Sequence, residues 1–224
     1  ARPAASRYNS VSAEGLRPRI AETSRILWRF YAVFTAILAV ILAVLGMSWF
    51  DALCHALTTL STGGFSTRDA SIAAFDDPVI ELTIAAFMLL ASVNYGLYYA
   101  ALQKRSLRGF LGSAEFKTFA AAATVATVAM TAGLYELHGR DLFQSFRYGL
   151  FMVATTVSST GYGTDDYSVY PPVLLWVVVT LMFVGGCAGS TAGGIKVERI
   201  VLMAKMAAAE VRRSYLPNLV IIIR

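Results

Sequence analysis

Apolar and polar positions alternate in long blocks along this chain. Uncharged runs occupy residues 30–50, 82–103, 118–135 and 167–195. About 20 apolar residues cross a bilayer core, so four membrane spans are expected, the third being the shortest. Two further segments, 47–60 and 148–158, are semi-apolar and too short to cross. They are expected to be half-helices that enter the membrane and stop. The first runs into Ser61, Thr62, Gly63, Gly64 and Phe65, the second into Ser159, Thr160, Gly161, Tyr162 and Gly163. Each phrase is followed by a polar, acidic loop and then by proline, at Pro78 and at Pro171-Pro172. Proline suits the first turn of a helix, where its missing N–H costs little.

The order span, half-helix, glycine phrase, loop, span therefore occurs twice. Aligned on Gly63 and Gly161, the repeat is 98 residues long. A tandem repeat of this kind marks a pseudo-symmetric pore or transporter. A half-helix ending at mid-depth points the negative end of its dipole there. The Ser-Thr-Gly that follows can run extended with carbonyls on one axis, glycine permitting the backbone angles and Ser or Thr adding hydroxyls. Such a ring of oxygens replaces the water of a dehydrated potassium ion. One copy of Ser-Thr-Gly is a common helix ending; two copies in the same topological place favour a filter.

The fourth apolar run is interrupted. Gly185, Gly186, Cys187, Ala188, Gly189, Ser190, Thr191, Ala192, Gly193 and Gly194 put five glycines in ten residues. Each glycine costs a helix interior roughly 1 kcal/mol, and unwound backbone at membrane depth survives only inside protein or beside a water-filled cavity. A flexible intramembrane segment that blocks or opens the path is the favoured reading, against a glycine-rich packing face. Lys196 follows, as an anchor on the inner side or a charge that repels cations. A phosphate-binding loop is excluded, because Ile195 separates Gly194 from Lys196 and no Ser or Thr follows the lysine.

Composition changes this picture little. The chain is 57% hydrophobic with a mean hydropathy of +0.60, too apolar for an ordinary soluble domain. Its net charge of +5 reports orientation. With residues 15–29 on the inside, 16 of the 19 Lys and Arg fall on inner segments, leaving Arg68, Arg140 and Arg147 outside, in keeping with the positive-inside rule. Both ends of this segment are then cytoplasmic, and the polar, basic residues 1–29 read as a lead-in rather than a signal peptide. The acidic stretches 69–77 and 165–166 would concentrate cations at an outer mouth or serve solubility alone. Cys54 and Cys187 are expected to be free, packed thiols. Asn94 stands as the strongly polar side chain deep in a span. No catalytic triad, metal-ligand spacing or paired carboxylate within a span is visible, so neither an enzyme nor a cofactor is expected.

At residues 17–23, 46–55, 61–67 and above all 185–197, the chain resembles the Trk/Ktr/HKT superfamily of potassium transporters, in particular its bacterial TrkH type. The resemblance implies an all-α integral membrane protein built from tandem repeats of outer helix, re-entrant pore helix with filter loop, and inner helix. It assigns residues 30–103 to the second and 118–213 to the third of the family's four repeats. Residues 1–29 become a cytoplasmic lead-in, 104–117 a connector and 214–224 a link to a further repeat. Gly63 and Gly161 match filter glycines, and the loop Gly185–Gly194 matches the gate below the filter. It implies potassium as the permeant ion, a bacterial inner membrane, lipid contact, a homodimer and a cytosolic nucleotide-binding (RCK-type) regulatory subunit. Repeats one and four have no counterpart here, so sodium as the permeant ion stays open, as does a secondary transporter with a midplane site.

Overall fold

A computed structural model describes residues 13–106 and 108–215. The residues 1–12 of the expected lead-in and 216–224 of the expected link lie outside the described residues. Helix α1 (Ala13–Val44) contains the first continuous span, Ser24–Val44. Gly46, at φ +103°, turns the chain into α2 (Trp49–Leu60). Ser48 caps α2, its hydroxyl accepting from Asp51 N at 3.1 Å, which satisfies one of the donors a helix start leaves open. A loop with one 3-10 turn leads to α3 (Pro78–Ala91), with Asp77 as N-cap and Pro78 in the first turn.

The second expected span is not one helix. It breaks after Ala91, and α4 (Tyr95–Lys104) leaves at 84° to α3. Asn94, expected deep in a span, is the N-cap of α4, its Oδ1 accepting from Gly96 N at 2.8 Å. The expected basic connector is largely helical, holding the end of α4 and the short α5 (Arg108–Gly112).

The second half follows the same plan. Helix α6 (Ala114–His138) contains the other continuous span, Ala114–Leu137, and α7 (Leu142–Val157) is the second half-helix. It starts six residues before the expected Tyr148, because Asp141 caps it through Phe143 N at 3.1 Å. The fourth expected span holds a 3-10 turn (Tyr167–Val169) and then α8 (Pro172–Phe183) before the chain unwinds; α9 (Val197–Tyr215) resumes beyond the loop. Twelve residues give about 18 Å of helix, short of a ~30 Å hydrocarbon core. Among the described residues, two helices are thus long and apolar enough to cross a membrane, three if the bent pair is one span.

Two apolar cores hold the halves. Leu38 and Leu42 of α1 meet Leu60, Ile84 and Met88, and this core also takes Phe151 and Tyr162 from the second half. The other joins Met130 and Leu134 of α6 to Val153 of α7, Leu174 of α8 and Cys187. Gly149 lets α7 close on α6: a Cβ there would lie 3.1 Å from Thr131 N.

An ion pair crosses between the halves. Arg147 Nε of α7 lies 3.2 Å from Glu81 Oε2 of α3, the side chains 9% and 2% exposed. The pair meets by charge without hydrogen-bond alignment, and Arg147 also donates to Tyr148 OH at 2.6 Å. The charge pattern of the sequence puts Arg147 on an outer segment. It and Glu81 are both buried, because each neutralises the other where either alone would cost several kcal/mol.

Candidate functional site

The two half-helices end in the same backbone motif, with a register the letters alone misplace. Thr58 O accepts from Gly63 N at 2.8 Å, and Thr155 O accepts from Thr160 N at 2.9 Å. Thr62 and Ser159 are left-handed at φ +53° and +59°, followed two residues on by Gly64 and Gly161 at +67° and +88°. Thr58 Oγ1 donates to Phe65 O at 2.9 Å and Thr155 Oγ1 to Tyr162 O at 3.0 Å. The structural repeat is therefore 97 residues. Gly64, not Gly63, is the counterpart of Gly161, and Gly63 pairs with Thr160. Phe65 pairs with Tyr162.

These bonds use the loops' donors and leave their acceptors. Among the described residues, the carbonyls of Thr62, Gly63, Gly64, Ser159, Thr160 and Gly161 accept no protein hydrogen bond. The loops lie against each other: a Cβ on Gly64 would stand 1.9 Å from Thr160 O. Six free carbonyls at two converging helix C-termini form an electronegative surface suited to a cation.

Each loop is tied back to its own half on leaving the site. In the first, Asp51 gathers Thr67 Oγ1 at 2.5 Å, Arg68 Nη2 at 2.7 Å and Ser48 Oγ at 2.8 Å. The Thr67 bond first, then Arg68 and Ser48, bring its pKa down to about 2. His55, fully buried, bridges Asp51 O at 2.7 Å and Ser66 Oγ at 2.9 Å. In the second, Arg140 and Asp165 pair at 2.5 Å, and Tyr170 OH donates to Asp165 at 2.7 Å. Burial works to raise the Asp165 pKa, but the Arg140 and Tyr170 bonds outweigh it and hold the carboxyl below its usual range. Asp51 and Asp165 are thus engaged in fixing the loops, and for Asp165 this narrows the expectation that the acidic stretches gather cations.

The glycine-rich segment lies against both loops. Thr62 Oγ1 donates to Thr191 O at 3.0 Å, and a Cβ on Gly193 would meet Ser159 Cβ at 3.2 Å. The segment folds back on itself: Gly185 N donates to Ile195 O at 2.9 Å, closing a parallel bridge between Val184 and Ile195. A Cβ on Gly185 would lie 2.0 Å from Gly193 O, so that approach requires glycine. Ser190 donates to Cys187 O at 2.6 Å. Ala192 is buried, its carbonyl accepting from Lys196 Nζ, and Ala188 N donates to Glu115 of α6. Lys196 thus braces the loop's end.

The segment also closes the unexpected break between α3 and α4. Cys187 N donates to Ser92 O at 2.8 Å, Thr191 Oγ1 to Ala91 O at 3.1 Å, and Tyr95 N to Gly189 O at 3.2 Å. Two interrupted helices satisfy each other's freed backbone groups, which is how unwound chain persists in an apolar region. The thiols of Cys54 and Cys187 are free, as expected, the second buried in this junction.

A sequence model of the TrkH family, described as cation transport protein, matches residues 9–224. The chain belongs to the TrkH family. It is 39% identical over 207 residues to the Trk system potassium uptake protein TrkH of Escherichia coli, covering 92% of this chain and 43% of that protein. To the protein of the same name from Halomonas elongata it is 36% identical over 209 residues, 93% of this chain and 43% of the relative. The crystal structure of the potassium transporter TrkH from Vibrio parahaemolyticus superposes with a TM-score of 0.87 at 33% identity, covering 92% of this chain and 45% of that one. The chain thus spans less than half the length of these relatives. The family is one of membrane cation transporters rather than enzymes, and the all-helical membrane fold expected from the sequence is the fold found.

Three features escaped sequence reasoning: the break at Ser92–Asn94, the Glu81–Arg147 pair and the contact of Tyr162 with α2. Asn94 followed by Gly96 was a usable helix-start signal. The other two carry no local signal.

Proposed function

We propose that this chain carries two filter-bearing pore units, over residues 30–103 and 118–213, of a protein that takes up potassium across the bacterial plasma membrane. The observation that carries this reading is the pair of half-helices ending in free carbonyls, in one register, against each other. The filter comprises Ser61, Thr62, Gly63, Gly64 and Phe65 with Ser159, Thr160, Gly161 and Tyr162. Backbone oxygens of that kind substitute for the hydration shell of an alkali cation. The names of the relatives, potassium uptake proteins, favour potassium over sodium.

In this reading, the loop from Gly185 to Gly194, braced by Lys196, is the gate. It contacts Thr62 and approaches Ser159, so its position decides whether an ion leaves the filter. The basic asymmetry of the sequence supports a cytoplasmic place for both ends of the segment. There α9 is placed to receive a nucleotide-binding regulatory subunit, with a second copy of the transporter beside it.

Expression of the full-length protein in a bacterium lacking its own potassium uptake systems tests this. Growth at low potassium, with rubidium entry exceeding sodium entry, is the expected result. Failure to restore growth, or preferential sodium entry, would refute the reading.

A further inference from the structure

Tyr162 is 2% exposed although it follows a filter glycine. Its ring lies 5.9 Å from the His55 ring, and its hydroxyl stands 2.5 Å from Thr58 Oγ1 and 3.3 Å from His55 O, all in α2. Thr58 Oγ1 is also the group that holds Phe65 O, at the exit of the first loop. Thr155 holds the Tyr162 carbonyl in the same way. One hydrogen-bond chain thus runs from the first loop through Thr58 and Tyr162 to the second.

The same device recurs half-made, 97 residues apart. Phe65, the counterpart of Tyr162, is 76% exposed. Met152, Thr155 and Thr156, the counterparts of His55, Thr58 and Thr59, line a cavity of about 300 Å³. Each unit thus carries one such aromatic and one threonine-lined socket, and the pair seated together is Tyr162 in the socket of α2.

We infer that Tyr162 is a positioning residue whose hydroxyl, seated on Thr58, sets the spacing between the two filter loops and thereby their discrimination between cations. The inference rests on the filter reading proposed above. Phe removes only the hydroxyl and leaves the ring in its socket. Thr58 then loses a buried partner, and the loops are free to separate. A wider oxygen cage relaxes the preference for the larger, dehydrated ion.

The test is the sodium-to-potassium permeability ratio of the full-length protein in proteoliposomes. Tyr162→Phe should raise it about fivefold, the factor corresponding to one net hydrogen bond, with unchanged membrane abundance. Thr58→Val should do the same and Thr58→Ser should not. The double variant should add little to either single change, as expected of groups in contact. A ratio within about twofold of wild type in both Tyr162→Phe and Thr58→Val, or full additivity, overturns the clamp alone. If Tyr162→Phe fails to accumulate, the two Thr58 variants decide by the same ratio. A wild-type protein that passes no potassium overturns the filter reading and the clamp with it.

Discussion

Gly64→Ala in the full-length protein is expected to abolish growth at low potassium and to cut potassium uptake by about a hundredfold, the scale of loss when a preorganised site shifts by an ångström. Two effects act together. Gly64 has φ +67°, a region costing an L-residue about 1–2 kcal/mol. Its Cβ would also stand 1.9 Å from Thr160 O, so a backbone carbonyl of the second loop must move. The damage therefore falls on both loops at once. Gly163→Ala is the control, because a Cβ there has nothing within 4 Å; its uptake should match wild type. Gly63→Ala, whose Cβ would meet Ser61 Oγ at 3.3 Å, should be milder than Gly64→Ala. Radioactive rubidium uptake, normalised to protein in the membrane, separates the three.

Shortening the glycine-rich loop should act in the opposite direction. Removal of residues 187–192 takes away the donors that hold Ala91 and Ser92 and the carbonyl that receives Thr62. Flux should rise about tenfold, within the range of coupling energies of regulated proteins, while the potassium-to-sodium preference stays as in wild type. Unchanged flux and regulation in a protein that still reaches the membrane would make the loop a packing element. Loss of selectivity with raised flux would instead make it part of the filter.

What the sequence disclosed and what it hid follow from the range of the interactions involved. Half-helices ending in Ser-Thr-Gly and a helix broken by five glycines rest on local chemistry, and both stand in the structure. The letters place the repeat register one residue off, because Ser158-Ser159-Thr160 offers two ways to align Ser-Thr with the first copy. Hydrogen bonds to Thr58 O and Thr155 O choose between them, and those depend on where each helix ends. The bend at Ser92–Asn94 contains neither Gly nor Pro; it exists because a loop some 95 residues later in the chain donates to its carbonyls. Glu81 and Arg147 look like surface charges until two separate helices bring them within 3.2 Å. Chemistry carried by one segment was legible, and chemistry made by the meeting of two segments was not.

A cation is expected to sit between the two loops on backbone oxygens. Anomalous diffraction from crystals of the full-length protein grown with rubidium tests it most directly. The expected result is a peak bounded by the carbonyls of residues 62–64 and 159–161, lost in Gly64→Ala. Rubidium bound elsewhere in the protein with none between these loops would contradict it.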